Sequence, residues 1–188
     1  MYASGLKRVM DVVLSGAALV ALSPVMALIA LLIKLEDGGR VIFRQSRIGR
    51  GMAPFMLLKF RSMRENVGDL PSDKARTLPI TRIGKVIRRT NLDELPQLVN
   101  ILRGNMSVVG PRPALPSQVE LIELRTANGA FGVRPGLTGL AQVNSYDHMP
   151  ASHKAQYDGQ YAARITLWGD IKIILRTFVY LTKPPPIY

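Results

Sequence analysis

The sequence predicts an α+β protein that is mostly helical, with one apolar helix near its start and a small β-hairpin after it. Three patterns support this class. Residues 12–33 carry no charge over 22 positions. Two short runs of strand-like composition flank the turn signal Gly49-Arg50-Gly51. Most of the remaining chain shows helical periodicity, often amphipathic, between glycine and proline breaks.

The apolar segment, residues 12–33, is long enough to cross a bilayer, which takes about 20 apolar residues in a helix. Ser23-Pro24 lies at its midpoint, and proline removes a helical hydrogen bond and kinks the chain. Each half is then about 16 Å long, roughly half the hydrocarbon thickness. The Ser23 hydroxyl can satisfy part of the backbone that Pro24 frees.

Basic residues flank the apolar segment on both sides: Lys7 and Arg8 before it; Lys34, Arg40, Arg44, Arg47 and Arg50 after it. The positive-inside rule places both flanks in the cytoplasm. A re-entrant membrane helix, broken at Ser23-Pro24, satisfies this rule and the midpoint proline together. A spanning helix, a secretory signal and a buried core helix are the alternatives. We therefore expect a membrane unit at residues 1–36 and a cytosolic, membrane-interfacial domain at 37–188.

The charge of this second unit favours anionic partners. The chain has a net charge of +12, and residues 38–112 hold 15 Lys/Arg against 5 Asp/Glu. Nucleic acid, acidic lipid headgroups and phosphorylated substrates all fit such a field. Few aromatic residues interleave with the basic ones, which argues against a nucleic-acid binder. A structural scaffold on the membrane is a third possibility.

Metal chemistry is also restricted by the composition. The chain has no cysteine and two histidines, His148 and His153, which we interpret as surface residues. Thiolate sites, disulfides and a histidine zinc centre are therefore not expected. A hard cation on carboxylate oxygens, Mg²⁺ first of all, is the metal that fits.

The predicted elements follow in chain order. Residues 41–45 and 55–61 are expected to form strands, and residues 68–79 a loop. Residues 134–143 hold too many glycines and prolines for one regular element. Helices are predicted at residues 81–89, 96–103, 118–127, 152–163 and 168–182. The last of these fits an interfacial helix or a core helix equally well.

Asp93 and Glu94 are the leading candidates for chemistry. They precede Pro96, at a predicted helix start whose free N–H groups favour anions. An Asn91-x-x-Glu94 capping box is the alternative explanation. Cations bracket the pair, with Arg88 and Arg89 upstream and Arg112 downstream. Phosphoryl transfer needs this combination of a carboxylate and charge-spreading cations.

Gly110-Pro111-Arg112-Pro113 is the second candidate. Two prolines fix the backbone around Arg112, which favours a preorganised phosphate clamp over a mobile side chain. A rigid surface turn is the alternative. Lys59 is expected on the same strand face as Arg61, and Asp158 gives a weaker acidic signal.

Taken together, these motifs resemble the bacterial sugar transferase family, the monotopic phosphoglycosyl transferases, in its small stand-alone form. The resemblance covers nearly the whole chain and is most specific from Asp93 to Pro113. It rests on Lys7-Arg8-x-x-Asp11, Ser23-Pro24, Phe43-x-Gln45-x-Arg47-x-Gly49, Lys59-Phe60-Arg61-Ser62-Met63, Leu92-Asp93-Glu94-Leu95-Pro96-Gln97-Leu98, Gly104-x-Met106-Ser107-x-Val109-Gly110-Pro111-Arg112-Pro113 and Arg134-Pro135-Gly136-Leu137-Thr138-Gly139.

The resemblance implies a reaction in which a nucleoside diphosphate sugar, with uridine as the expected nucleoside, gives its phosphosugar to polyprenol (undecaprenyl) phosphate. Asp93 would be the nucleophile, with Glu94 beside it and Mg²⁺ bound near Asp93. Lys59, Arg88, Arg112 with its flanking prolines Pro111 and Pro113, and Asp158 match substrate-binding positions. The re-entrant helix, the cytoplasmic face of the bacterial inner membrane and a first step in glycan assembly are implied as well. Ser145 stands where many members have glycine, which bears on sugar recognition.

Overall fold

The computed structural model describes residues 2–64, 80–146 and 148–181, and it confirms a mostly helical α+β fold. The predicted loop at residues 68–79 and the final position of the predicted last helix, Thr182, lie outside these ranges. The elements in order are α1 Lys7–Asp37, β1 Ile42–Ile48, β2 Pro54–Phe60, α2 Arg82–Arg89, α3 Gln97–Leu102, β3 Ser107–Val109, α4 Val119–Ala127, β4 Gly136–Thr138, α5 Leu140–Val143, α6 Ala151–Ala163 and α7 Leu167–Leu181.

Helix α1 contains the whole apolar segment and runs continuously through Pro24. Pro24 has no N–H to donate to the carbonyl of Val20, four residues earlier. The Ser23 hydroxyl donates to that carbonyl at 2.8 Å, as the sequence predicted. At Ser23-Pro24 the helix of 31 residues therefore loses one backbone hydrogen bond but is not interrupted. The Ser23 side chain satisfies the carbonyl that is left without a backbone donor.

Both halves of α1 pack on the rest of the protein, while residues 20–25 between them carry no buried side chain. Ile29 and Ile33 join Phe60 of β2 and Ile87 of α2 in one core cluster. Nearer the N-terminus, Ala18 and Leu19 pack on a second cluster, which consists of Leu57, Leu98, Ile101 and Met106. The opposite face is apolar and exposed. By length and composition alone, α1 is a helix that can cross a membrane.

Both ends of α1 are tied to the domain by polar contacts. At the N-terminal end, Arg8 donates to the carbonyls of Ile101 and Leu102 at the end of α3. Buried Asp11 accepts from the hydroxyl of Ser107 and the amide of Val108. At the C-terminal end, Asp37 pairs with Arg61, and Glu36 caps the first amides of α2. The basic Lys7-Arg8 flank, which the sequence predicts at a membrane boundary, therefore forms contacts within the protein.

The hairpin is confirmed. β1 and β2 pair antiparallel over seven residues each, with Lys59 opposite Phe43. A turn of 3₁₀ helix at Arg50–Met52 joins them, and Gly51 adopts a positive φ of 62° there. Phe60, at the end of β2, enters the core. Lys59 of β2 donates to Glu94, and Arg61, the residue after β2, donates to Asp37.

A short parallel pair, β3 with β4, was not predicted from the sequence. It arises because the glycine-rich residues 134–143 lie directly against residues 107–110. Helices α6 and α7 close the fold, with Tyr161 and Ile173 in the core beside Val109. The outer face of α7 exposes large apolar side chains: Trp168, Leu175, Phe178 and Val179. Helix α7 therefore packs in the core on one face, and its other face is apolar and exposed; its interfacial placement stays a prediction.

Candidate active site

The carboxylate pair Asp93 and Glu94 lies in a single 3₁₀ turn, Leu92–Glu94, just after α2. Asn91 precedes the turn in the left-handed conformation, with φ of 56°, which asparagine tolerates better than most residues. The side chain of Asn91 makes no capping hydrogen bond. The Glu94 side chain points to cations instead of the turn, so the capping-box alternative is wrong.

Glu94 is held by two cations. Lys59 Nζ lies 2.7 Å from Glu94 Oε1, and Arg112 Nη2 lies 2.6 Å from the same oxygen. Burial alone would raise the pKa of Glu94, but the charges and hydrogen bonds of Arg112 and Lys59 outweigh it and lower the pKa well below its usual range. Glu94 therefore stays ionised and connects β2 to the segment around Arg112.

Asp93 differs from its neighbour. It is 9% exposed, and its nearest cation, Lys59 Nζ, is 3.8 Å away. No residue in the described ranges donates a hydrogen bond to its carboxylate. Burial raises the pKa of Asp93 and the Glu94 charge adds to the rise, while Lys59, Arg112 and Arg88 oppose it. A carboxylate without hydrogen-bond partners, surrounded by cations, keeps its lone pairs available for attack or metal binding.

Arg88, on the last turn of α2, adds a cation to the same site. Its charge acts on Asp93, and its Nη1 atom is buried with no hydrogen-bond partner among the described residues. A buried guanidinium nitrogen in this condition costs free energy, which an anionic ligand would recover. Lys59, Arg88 and Arg112 thus converge on the carboxylate pair, as the sequence predicted.

The 110–113 loop is fixed by its backbone. Gly136 donates from its amide to the carbonyl of Pro111 at 2.8 Å, and Gly110 donates to the carbonyl of Thr138 at 2.8 Å. A Cβ on Gly110 would lie 2.3 Å from the carbonyl oxygen of Arg134. The two Gly/Pro motifs that were recognised separately in the sequence are therefore one unit, in which the backbones approach too closely for side chains.

Asp158 is not beside the carboxylate pair. It is 1% exposed on α6, and its Oδ2 accepts from Arg125 Nε at 2.9 Å and from Arg125 Nη2 at 2.6 Å. Arg125, on α4, was missed in the sequence. The burial of Arg125 could have been inferred from its spacing of four residues from Leu121. Positions i and i+4 share a helix face, and Leu121 is buried.

The remaining sequence candidates lie outside this cluster. His148 and His153 are exposed, as expected. Ser145 lies after α5, and its hydroxyl is buried without a hydrogen-bond partner among the described residues. Among the residues that the structure describes, no group of three or more His, Cys, Asp or Glu could enclose a metal ion.

Comparison with known proteins identifies a family for this chain. Residues 2–184 match the bacterial sugar transferase family. The chain is 41% identical over 180 residues to the UDP-glucose:undecaprenyl-phosphate glucose-1-phosphate transferase of Caulobacter vibrioides, covering 91% of this chain and 67% of that one. It is 37% identical to the exopolysaccharide production protein ExoY of Rhizobium meliloti, covering 91% and 83%.

A third relative is longer. The UDP-glucose:undecaprenyl-phosphate glucose-1-phosphate transferase of Escherichia coli is 40% identical over 183 residues, which cover 92% of this chain and 39% of the relative. The chain thus spans between about two fifths and four fifths of these three proteins. Because the family match extends over nearly every residue, and the carboxylate pair, its cations and the glycine-proline unit form one site, this chain belongs to the bacterial sugar transferase family.

Proposed function

We propose that this protein transfers a sugar 1-phosphate from a UDP-sugar to undecaprenyl phosphate through a covalent phosphosugar on Asp93. The observation that carries the proposal is a carboxylate that accepts no hydrogen bond in the described residues and has three cations around it. Its relatives are named as transferases of this kind, and others as exopolysaccharide production proteins, which supports a first step in glycan assembly.

In the first half-reaction, an Asp93 oxygen attacks the phosphorus that bears the sugar. The bond between the two phosphates breaks and UMP leaves with its electron pair. Lys59, Arg88 and Arg112 offset the charge that spreads over the phosphate oxygens. Glu94 holds Lys59 and Arg112 in place for this role, because it receives a hydrogen bond from each.

In the second half-reaction, a phosphate oxygen of undecaprenyl phosphate attacks the same phosphorus. The bond from Asp93 to phosphorus breaks, which regenerates the carboxylate and yields undecaprenyl diphosphate sugar. Because the donor and the acceptor react in turn with the same Asp93, the site needs to accept a water-soluble nucleotide and a lipid phosphate at one height.

Mg²⁺ fits the donor set near Asp93. Magnesium is commonly bound by one or two carboxylates together with substrate phosphates and water, so a closed cage of three acidic side chains is not required. Asp93 has lone pairs without donors, whereas Glu94 is already occupied by Lys59 and Arg112. When bound, the ion would offset negative charge on the donor diphosphate.

We further propose that α1 enters the cytoplasmic leaflet of the inner membrane and returns to the same side. Two facts support this topology. Lys7, Arg8 and Asp11 at one end, and Glu36 and Asp37 at the other, contact the same domain. The Ser23 hydroxyl also satisfies the carbonyl freed by Pro24, as the apolar interior requires. Membrane-impermeant labels on position 1 and position 40 should react from the same face; labelling from opposite faces would reject the re-entrant arrangement.

The chemistry is tested with Asp93→Asn. We expect loss of sugar-phosphate transfer and of radiolabelled phosphosugar trapped on the protein, with membrane attachment retained. Glu123→Gln, at an exposed acid on α4, is the matched control and should keep both activities. Near wild-type turnover of Asp93→Asn would reject the mechanism. Binding of nucleic acid with a steep salt dependence, together with no transfer, would reject the function.

A further inference from the structure

Three consecutive carbonyl groups of the 110–113 loop are held by three different elements. The carbonyl of Pro111 accepts from the amide of Gly136 at 2.8 Å. The carbonyl of Arg112 accepts from Arg125 Nη1 at 2.8 Å. The carbonyl of Pro113 accepts from Arg47 Nη1 at 3.1 Å. Each of these three carbonyls therefore has a fixed partner outside the loop.

The middle contact comes from a buried ion pair. Arg125 is 3% exposed and Asp158 is 1% exposed, and two guanidinium nitrogens of Arg125 reach one oxygen of Asp158. The third nitrogen, Nη1, is the one that reaches Arg112. The planar fork of arginine allows both contacts at once, which a lysine ammonium on a flexible stem does not reproduce.

Stability alone does not account for this pair. Buried ion pairs lose solvation energy, and replacing both charges with apolar side chains of similar volume is often neutral or stabilising. The same interface between α4 and α6 already contains apolar packing, with Leu121 and Ala155 in one cluster. What the charged pair adds is a fixed donor for one backbone oxygen beside the active site.

The fixed oxygen belongs to the residue whose side chain enters that site. Arg112 Nη2 lies 2.6 Å from Glu94 Oε1, and the Arg112 side chain is 41% exposed, so its own packing does not hold it. Proline on either side leaves its backbone few conformations. Holding the backbone at Arg112 therefore fixes the point from which its side chain extends to Glu94.

We propose that Arg125 and Asp158 are positioning residues that hold the Arg112 backbone in register with Glu94 and the donor phosphates. This inference rests on the proposed transfer reaction for its effect on rate, but its structural part stands separately. It gives Asp158 a role that it fulfils through Arg125 and Arg112.

The test removes both charges together, with Arg125→Met and Asp158→Leu in one protein. We expect thermal stability close to wild type and sugar-phosphate transfer lowered about 10- to 100-fold, because displacing a catalytic group by about 1 Å costs up to that much. Arg125→Lys is the second variant, in case the double replacement does not fold. It keeps the charge beside Asp158 and should also lose transfer.

Asn128→Ala is the matched control. Asn128 Nδ2 donates to the carbonyl of Ala155 at 2.6 Å, so it also links α4 to α6, but its side chain makes no hydrogen bond to the 110–113 loop within the described ranges. This variant should keep wild-type transfer even where its melting temperature falls.

Adding the double replacement to Arg112→Ala distinguishes an effect on Arg112 from a purely structural role of the ion pair. If the pair acts through Arg112, adding the double replacement to Arg112→Ala should lower transfer no further than about twofold. The same fold loss in both backgrounds, or wild-type transfer in the double and lysine variants, would overturn the proposal.

Amide hydrogen exchange tests whether the ion pair holds the 110–113 loop, and it does not depend on transferase activity. Amides in residues 108–114 should exchange faster in the charge-free pair and in Arg125→Lys, but not in Asn128→Ala. Unchanged exchange would overturn the inference. Wild-type protein that fails to transfer would reject the proposed function instead, while exchange would still report on the loop.

Discussion

Gly110→Ala tests the close contact between the two Gly/Pro motifs. A Cβ at this position would lie 2.3 Å from the Arg134 carbonyl oxygen and 2.9 Å from the Gly136 amide nitrogen. Non-bonded heavy atoms prefer about 3.5–4.0 Å, so one backbone has to move by about 1 Å. The neighbouring atoms are backbone, so no flexible side chain can absorb the movement.

The size of the effect follows from that movement. Overpacking of this kind costs typically about 1–3 kcal/mol, which lowers the melting temperature by about 2–12 °C in a protein of this length. A shift of about 1 Å in the loop that bears Arg112 lowers the transfer rate about 100-fold. The transfer rate of Gly110→Ala should therefore fall by more than the decrease in the folded fraction accounts for.

The assay compares melting temperature and initial transfer rate in the same lipid nanodiscs, below the melting temperature of the variant. Gly132→Ala is the control, because nothing lies within 4 Å of its added Cβ and its φ is not positive. It should match wild type in both measurements. Wild-type stability and wild-type rate in Gly110→Ala would refute the reasoning about the interlocked backbones.

Three further predictions concern other parts of the molecule. Ser23→Ala leaves the Val20 carbonyl unsatisfied in lipid and should cost about 1–3 kcal/mol of stability in nanodiscs, whereas Ser23→Thr should not; equal melting curves for the two variants would contradict this. Ile101→Ala, at a position with 0% exposure, should cost about 2–5 kcal/mol in chemical denaturation, and a cost below about 1 kcal/mol would contradict the packing. Because burial raises the pKa of Asp93, the folded state loses stability as pH rises from the ordinary pKa of that group through the raised one. Asp93→Asn should therefore be as stable as wild type or more stable at neutral pH, and a lower melting temperature would count against it.

Local patterns predicted the elements well because their causes are local. The strand composition on both sides of Gly49-Arg50-Gly51 gave the hairpin, and Thr81 caps α2 by accepting from the amide of Gly84 at 2.9 Å. The cations on both sides of the carboxylate pair in the sequence also lie beside it in the structure.

Long-range pairings could not be predicted in the same way. The parallel pair β3 with β4 depends on contacts between residues 107–109 and 136–138, and three-residue strands carry no periodic signal. The ion pair of Arg125 with Asp158 joins positions 33 residues apart, so neither charge shows its partner in the sequence. Their burial results from the packing of α4 on α6, which is decided by the whole fold.

The packing of α1 has a consequence for how the protein acquires its native state. Because Ile29 and Ile33 complete one core cluster and Ala18 and Leu19 pack on another, deletion of the apolar segment would open both cores to water. A soluble version made by truncation is therefore expected to unfold or aggregate. In the proposed topology the bilayer covers the outer face of α1. It then acts as a ligand of the native state, and the free energy of that burial adds to the stability of the catalytic fold. Insertion and folding are then one coupled equilibrium, and a thinner or less ordered lipid phase would change enzyme stability as well as location.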